Sequence, residues 1–242
     1  MVKLAQIFLL LVYFTATAYA NIVVILGVEN SWPPYSDKFG EGISKDIVQR
    51  AFKAMNVDVH FVVVPYARAL KMTENGKLDG SFNVTKQQST LDKFSFHKKP
   101  ILQAKASFYY PIDSPFDFQS IDQIPTGTTI ALILDYEYGN KYQTQKKRFS
   151  ETRVSKQRQI IQLLIKKRVE VAIMFDEVAK YSLSEMNLPH NAIKKGQINH
   201  VSDIFVAFNK AKRTQPIIKI FNQGLEKIQQ TSPEVTGKAK LE

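Results

Sequence analysis

The sequence has 242 residues, of which 44% are hydrophobic and 23% charged, as in globular rather than disordered or fibrous proteins. Cysteine is absent, which excludes a disulfide framework, thiolate metal sites, a cysteine nucleophile and a lipid-modified N-terminal cysteine. The net charge is +11, but the basic residues are scattered and no basic arm or aromatic RNA-binding motif accompanies them, so no nucleic-acid partner is predicted.

The first twenty residues predict a signal peptide. Lys3 gives a cationic start, Leu4–Thr17 is largely apolar, and Ala18-Tyr19-Ala20 has the small-x-small pattern that signal peptidase cleaves. A membrane anchor is the alternative, but the run is shorter than the ~20 apolar residues of a spanning helix. We therefore expect a mature chain that begins at Asn21 and is exported to a bacterial periplasm without a lipid anchor.

Strand and helix patterns alternate in the first half of the mature chain. Apolar, β-branched runs predict the strands Asn21–Val28, Val57–Pro65 and Leu78–Val84. Helical spacing predicts helices over Ser44–Met55, with Ser44 as N-cap, and over Ala67–Glu74. Strands and helices that alternate with short connections are typical of a parallel α/β sheet.

The alternation restarts after an extended Ala104–Pro111 and a loop-rich, hinge-like Ile112–Pro125. The later predicted strands are Thr128–Leu134, Val169–Phe175 and Asp203–Lys210, and the helices are Lys156–Lys167, Asp176–Met186 and Gln215–Gln230. Asp176 is expected to cap its helix. We predict an α/β protein of two lobes, each a sheet flanked by helices, joined by a hinge. Lobe 1 would comprise residues 21–110 and 201–242, and lobe 2 residues 111–200.

Signatures of catalysis are missing from the sequence. It contains no nucleophile elbow, P-loop, zinc-protease motif or dinucleotide fingerprint. The four histidines are isolated, and His97, which precedes two lysines, is expected to be exposed. We therefore predict no catalytic residues, no metal and no cofactor.

Polar and aromatic residues follow the predicted strands, where open α/β sheets bind ligands. Trp32 and Tyr35 lie in a proline-stiffened loop and could wall a ligand pocket, although Trp32 could equally plug the end of the sheet. Arg68 lies in a first helical turn, where the dipole disfavours a cation, which suggests a fixed anionic partner or, alternatively, an exposed ion pair. The candidate ligand-binding residues are Trp32, Tyr35, Tyr66, Arg68, Asn83, Thr85, Gln88, Asp135, Tyr136 and Asp176.

Several short motifs, in this order, resemble those of the bacterial extracellular solute-binding proteins of family 3, the periplasmic receptors of amino-acid ABC importers. Trp32-Pro33-Pro34-Tyr35, followed by Gly40 to Asp46, is similar to the family's opening signature. Gly76-Lys77-Leu78-Asp79-Gly80, Thr85 to Ser95 and Val169 to Asp176 resemble its later motifs. The resemblance covers the whole mature chain and implies the two-lobed, hinge-closing type II fold.

The departure from the family pattern concerns the ligand. In the family's "T-x-x-R" motif an arginine clamps the ligand's α-carboxylate in a bidentate fork, and counting from Thr85 places Gln88 there. Lys86 or Arg68 could compensate for the missing charge. Asp176 matches the position that holds the α-amino group in the family. Binding of an ordinary free amino acid is therefore in doubt.

The resemblance implies a monomeric receptor that captures a small polar solute, an amino acid or a related compound, for an ABC permease of the inner membrane. Two alternatives remain. One is a ligand-sensing subunit of a signalling system. The other is a periplasmic enzyme similar to cyclohexadienyl dehydratases, in which Glu29 or Asp176 would serve as acid or base.

Overall fold

The computed structural model describes residues 23–210 and 213–231, so the predicted signal peptide and mature start lie outside the described residues. The strands are β1 (Val23–Val28), β2 (Asp58–Val63), β3 (Gly80–Thr85), β4 (Phe94–Phe96), β5 (Leu102–Pro111), β6 (Thr129–Ile133), β7 (Ser150–Val154), β8 (Val171–Phe175) and β9 (Ile193–Asn209). The α-helices are α1 (Ile43–Lys53), α2 (Tyr66–Glu74), α3 (Gln88–Leu91), α4 (Asn140–Gln145), α5 (Gln157–Ile165), α6 (Asp176–Glu185) and α7 (Thr214–Thr231).

These strands form one mixed sheet in the order β2-β1-β3-β9-β5-β8-β6-β7, with β4 paired to β9. Strand β1 is parallel to β2 and β3, and these three strands form what we call the first half-sheet. Strand β6 is parallel to β7 and β8, which together form the second half-sheet. The antiparallel strands β5 and β9 join the two halves. The predicted α/β class, a sheet flanked by helices, is confirmed.

Each predicted helix and strand within the described residues is present, and all but β9 lie within a few residues of their predicted ends. The largest difference is β9, which begins at Ile193 rather than at Asp203. Its first ten residues are mostly exposed or half-buried and include two lysines, so they lack the apolar pattern of a strand. Strand β7 was not predicted because its polar sequence, SETRV, lies at the sheet edge beside β6 alone.

The strand of each half-sheet that adjoins the connecting strands is fully buried. Every residue of β3 and of β8 is buried, as expected for strands with helices on both faces. Helices α1 and α7 approach closely at Gly224, where an added Cβ would lie only 1.9 Å from the Ala51 carbonyl oxygen. Glycine at this position therefore permits the close packing of α7 against α1.

Two local predictions are wrong. Helix α1 begins after Gly42, and Ser44 lies buried inside its first turn without a capping hydrogen bond. His97 is buried rather than exposed, and its Nε2 accepts a hydrogen bond of 2.9 Å from the Val206 N–H. Burial lowers the pKa of His97 to about 3, so the ring is a neutral part of the core.

The proposed division into lobes falls within the two connecting strands. The predicted boundaries at residues 110 and 200 lie in β5 and β9, which pair with each other and shift register between Ala106 and Ser107. The two-lobe division stays a prediction. Within residues 23–210 and 213–231, no helix is long and apolar enough to cross a membrane.

Candidate functional site

The loops that follow β1, β2 and β3 face those that follow β6 and β8 across the middle of the molecule. A cavity of about 10 Å³ lies between them. A cleft of about 770 Å³ flanks it and shares Tyr136 and Glu137 with it, and a cleft of about 330 Å³ lies beside the loop around Pro33. The residues that line the central cavity are Glu29, Trp32, Tyr66, Asn83, Tyr136, Glu137, Phe175 and Ile204.

Two carboxyl groups, one on each side of the cavity, accept hydrogen bonds from the opposite side. Glu29 follows β1 and accepts a hydrogen bond of 2.5 Å from the hydroxyl of Tyr136, which follows β6. Glu137, beside Tyr136, accepts hydrogen bonds of 3.1 Å from the hydroxyls of Tyr66 and Thr85 on the first half-sheet side. Each side of the cleft therefore supplies one acid and receives hydrogen bonds from the other side.

Burial dominates the protonation of these acids. It raises the pKa of Glu29 to about 8, although the hydrogen bonds from Tyr136 and Asn83 oppose the rise. Burial likewise raises the pKa of the half-buried Glu137 to about 7, against the hydrogen bonds from Thr85 and Tyr66. Near neutral pH the site therefore holds carboxyl groups that are close to the point of gaining or losing a proton.

Aromatic rings form much of the wall. The ring centroids of Trp32 and Tyr35 are 4.3 Å apart, and Trp32 meets Phe175 of the second half-sheet edge-on at 5.1 Å. Tyr66 and Tyr136 also meet edge-on across the cleft, at 5.0 Å. The predicted aromatic loop therefore faces the opposite half of the molecule, and its buried Trp32 both lines the cavity and packs against the neighbouring core.

Two buried polar atoms at this site have no hydrogen-bond partner among the described residues. They are the side-chain carbonyl oxygen of Asn83 and the indole nitrogen of Trp32. The amide nitrogen of Asn83 donates to the Ser36 hydroxyl at 3.0 Å, so the carbonyl oxygen of the same side chain is left without a donor. Unpaired buried polar groups are uncommon and costly, and they mark places where a ligand atom can bind.

Asp176 lies outside the cavity and is already paired. Its carboxylate accepts a hydrogen bond of 3.1 Å from the Tyr109 hydroxyl and forms an ion pair of 2.7 Å with Lys195. Asp176 is the first residue of α6, and its side chain makes no capping hydrogen bond, so the prediction of a cap is wrong.

The other predicted site residues lie at the edges. Arg68 is exposed on α2, and no acid lies within ion-pair distance of it among the described residues. Gln88 is exposed on α3 and donates to Asp92 at 2.7 Å, whereas Lys86 lies over the ring of Phe205. Asp135 is exposed and lines the larger cleft.

The cavity thus brings together Trp32, Tyr66, Asn83 and Tyr136 of the predicted set, with Tyr35 and Thr85 in direct contact with lining residues. Glu137 was not among the predicted residues. Its position beside Tyr136, after an apolar strand, was the available signal. Within the described residues no group of three or more histidine, aspartate or glutamate side chains is arranged to hold a metal ion.

Comparison with protein families gives one match over most of the chain. The profile of the bacterial extracellular solute-binding proteins, family 3, matches residues 24–233. A comparison with curated proteins gives no match.

Solved structures share the fold at low sequence identity. A histidine kinase sensor domain with similarity to periplasmic binding proteins matches with a TM-score of 0.73 and 15% identity, over 88% of this chain and 92% of that chain. An ancestral arginine-binding protein bound to arginine gives 0.72 and 16%, over 88% and 94%. The substrate-binding protein of an amino-acid ABC transporter gives 0.70 and 17%, over 87% and 94%. These similarities confirm a periplasmic-binding-protein-like fold.

Proposed function

Because the chain belongs to the bacterial extracellular solute-binding proteins of family 3, we propose that it captures a small polar solute between two lobes that close about a hinge. The lobes are those predicted above, residues 21–110 with 201–242 and residues 111–200. Strands β5 and β9 would serve as the hinge, because they are the two strands that join the half-sheets. A binding role needs no bond-making step, so we propose that the protein is not an enzyme.

The pair of crossed carboxyl–tyrosine hydrogen bonds carries this proposal. Opening of the lobes would separate Glu29 from Tyr136 and Glu137 from Tyr66, and so expose four polar groups to solvent and solute. Closure would remove water from the same groups, and electrostatic contacts strengthen when water leaves. The site can therefore form completely in the closed state alone, as a capture mechanism requires.

The lining residues are proposed to contact the solute. Aromatic side chains wall a pocket with little loss of conformational entropy, and the few polar groups among them fix the solute's orientation. We propose direct contacts from Trp32, Tyr66, Asn83, Tyr136 and Glu137. Tyr35, Thr85 and Asp135 would support or extend this wall, whereas Arg68, Gln88 and Asp176 lie at its edge, outside the proposed contacts.

The cellular setting follows from the family and the sequence. Family membership implies a periplasmic or secreted protein. We propose export by the N-terminal signal peptide to the periplasm, action as a monomer, and delivery of the solute to an ABC permease of the inner membrane.

Thermal unfolding of the refolded, solute-free protein against a panel of compounds tests the binding role. The panel contains amino acids, short peptides, amines, dicarboxylates and aromatic-pathway precursors. A compound present at about 100 times its dissociation constant adds about 2.7 kcal/mol to the free energy of unfolding. Small-angle scattering with the stabilising compound should show a smaller radius of gyration than without it. No stabilisation by any class, with an unchanged radius, would contradict solute capture.

A sensing role is the second candidate. The observation that favours it is the structural match to a histidine kinase sensor domain, at a TM-score of 0.73. A sensor would bind its solute in the same cleft but present the closed form to a signalling protein rather than to a permease. Affinity capture on the solute-loaded protein should recover a permease under the first role and a membrane kinase or cyclase under the second.

A further inference from the structure

We infer that the central cavity selects a primary amine without an α-carboxylate, whose ammonium group lies between Glu29, Glu137 and the side-chain carbonyl of Asn83. This inference rests on the proposed solute-binding function and specifies the chemical class of the solute.

The charges of the cavity wall favour a cation. Of the eight residues that line the cavity, two are acids and none is lysine, arginine or histidine. Glu29 is 2% exposed, so its charge meets little solvent screening. A buried carboxylate without a cation is costly, and an ammonium group brought in by a solute would supply the missing charge. The surrounding rings add a favourable environment, since cations bind to aromatic faces.

The unpaired oxygen of Asn83 is an independent observation that points to a donor. Asn83 is 5% exposed and lines the cavity, and its carbonyl oxygen has no donor among the described residues. An ammonium group has three N–H donors and no acceptor. Glu29, Glu137 and Asn83 each carry a side-chain oxygen that can accept a hydrogen bond, so the composition of the wall matches a primary ammonium group.

The size of the cavity sets how much of the solute it can enclose. About 10 Å³ accommodates a group the size of a water molecule, which is also the size of an ammonium head. The rest of the solute would extend into the cleft of about 770 Å³, because Tyr136 and Glu137 line both spaces. The solute is therefore expected to enter head first, with its tail in the larger cleft.

The residues at the positions that would hold an α-amino acid already form other contacts within the chain. Asp176 already pairs with Lys195, and Gln88 donates to Asp92, the residue that follows its own short helix. An α-carboxylate one carbon away from the ammonium head would lie next to Glu29 and Glu137, with no cation in the cavity wall to offset the repulsion. Simple amines avoid this repulsion.

Calorimetry with four probes tests the inference. The probes are n-butylamine, putrescine, butyrate and L-glutamine, used with the refolded, solute-free protein at about pH 8.5. We expect heat of binding from the two amines and none from butyrate or L-glutamine. Glu29→Gln and Glu137→Gln should each weaken amine binding at least about tenfold, since each removes one buried charge partner. Asp176→Asn is the matched control and should leave amine affinity within about twofold.

A measurement on the unmodified protein guards against variants that fail to fold. Both acids carry a raised pKa through burial, about 8 for Glu29 and about 7 for Glu137. The groups that act on their pKa values are Tyr136, Asn83, Tyr66, Thr85, the exposed Asp135 and, for Glu29, Glu137, and none of these is positive. The basic residues nearby line the larger cleft and not the cavity, and they are Lys71, Lys93, Lys146, Lys147 and Arg153. Amine affinity should therefore fall at least about tenfold between about pH 8.5 and pH 6, where both carboxyl groups are protonated while the amine stays charged.

Three results would overturn the inference. They are tighter binding of L-glutamine than of either amine, loss of binding in Asp176→Asn with binding retained in Glu29→Gln, and an amine affinity that does not change with pH. If neither amine binds but another class stabilises the protein in the unfolding panel, this inference fails and the solute-binding function stands. If no class stabilises it, both fail.

Discussion

Two acidic sites of this protein lie near the same cleft and differ in what surrounds them. Asp176 holds an ion pair with Lys195 and a hydrogen bond from Tyr109, and its side chain is 13% exposed. Glu29 is fully enclosed and receives hydrogen bonds from neutral groups alone. The charge of Asp176 is balanced by Lys195, whereas no cation among the described residues forms an ion pair with Glu29. A carboxylate's availability to a ligand thus depends on its neighbours.

The largest effect expected from this difference is on the pH dependence of stability. The folded pKa of Glu29 lies at about 8, above its unfolded value near 4.5, so the folded state binds more protons between these values. Stability should therefore fall as pH rises, and by about 2 kcal/mol between about pH 6.5 and pH 9 from Glu29 alone. Urea unfolding at several pH values measures this slope.

His97 and His200, whose pKa values are lowered by burial, are neutral throughout this window in the folded state. Unfolded histidines are about half protonated at pH 6.5, which opposes the Glu29 slope by less than about 1 kcal/mol, equally in the unmodified protein and in the variants. Glu29→Gln should reduce the slope to the smaller part that Glu137, with a pKa of about 7, contributes, and Asp176→Asn should leave the slope unchanged. A slope as steep in Glu29→Gln as in the unmodified protein would contradict the assignment of the higher pKa to Glu29.

A smaller effect should separate two tyrosines that each donate a hydrogen bond to a carboxyl group. Tyr136→Phe removes a donor to the enclosed Glu29, which should cost about 1–3 kcal/mol of stability at about pH 9, where that acid is ionised. Tyr109→Phe removes a donor to Asp176, which keeps Lys195 and some solvent, so its cost should be less than half as large. Urea unfolding of the two variants side by side measures the difference, and equal losses would show that the two sites do not differ in compensation.

The smallest effect is expected at Lys195. Its side chain is 51% exposed, and partly exposed ion pairs contribute little because solvent screens them. Lys195→Met should therefore change stability by less than about 1 kcal/mol at neutral pH. Urea unfolding beside the unmodified protein measures this change. A loss as large as that of Tyr136→Phe would mean that this ion pair is a structural necessity.

The alternation of strands and helices could be predicted from the sequence because buried elements have a periodic pattern of apolar residues. Both β3 and β8 have every residue buried, and both were predicted. The first half of β9 and all of β7 were not, because their side chains are largely polar and half-exposed, and hydrogen bonds to neighbouring strands alone define them. His97 shows the same limit, since a residue beside two lysines gives no local sign of burial against Phe221.

By itself, the sequence determined the α/β class, the family motifs and the placement of aromatic and polar residues after the strands, because these features depend on short-range pattern. Only the tertiary structure decided which acids meet which donors. Glu29 and Tyr136 are separated by 107 positions, and Glu137 and Tyr66 by 71. Lys195 reaches Asp176 only because β9 extends far beyond its apolar segment. Whether a charge is balanced depends on residues that are neighbours in space, and these cannot be identified from a local pattern of the sequence.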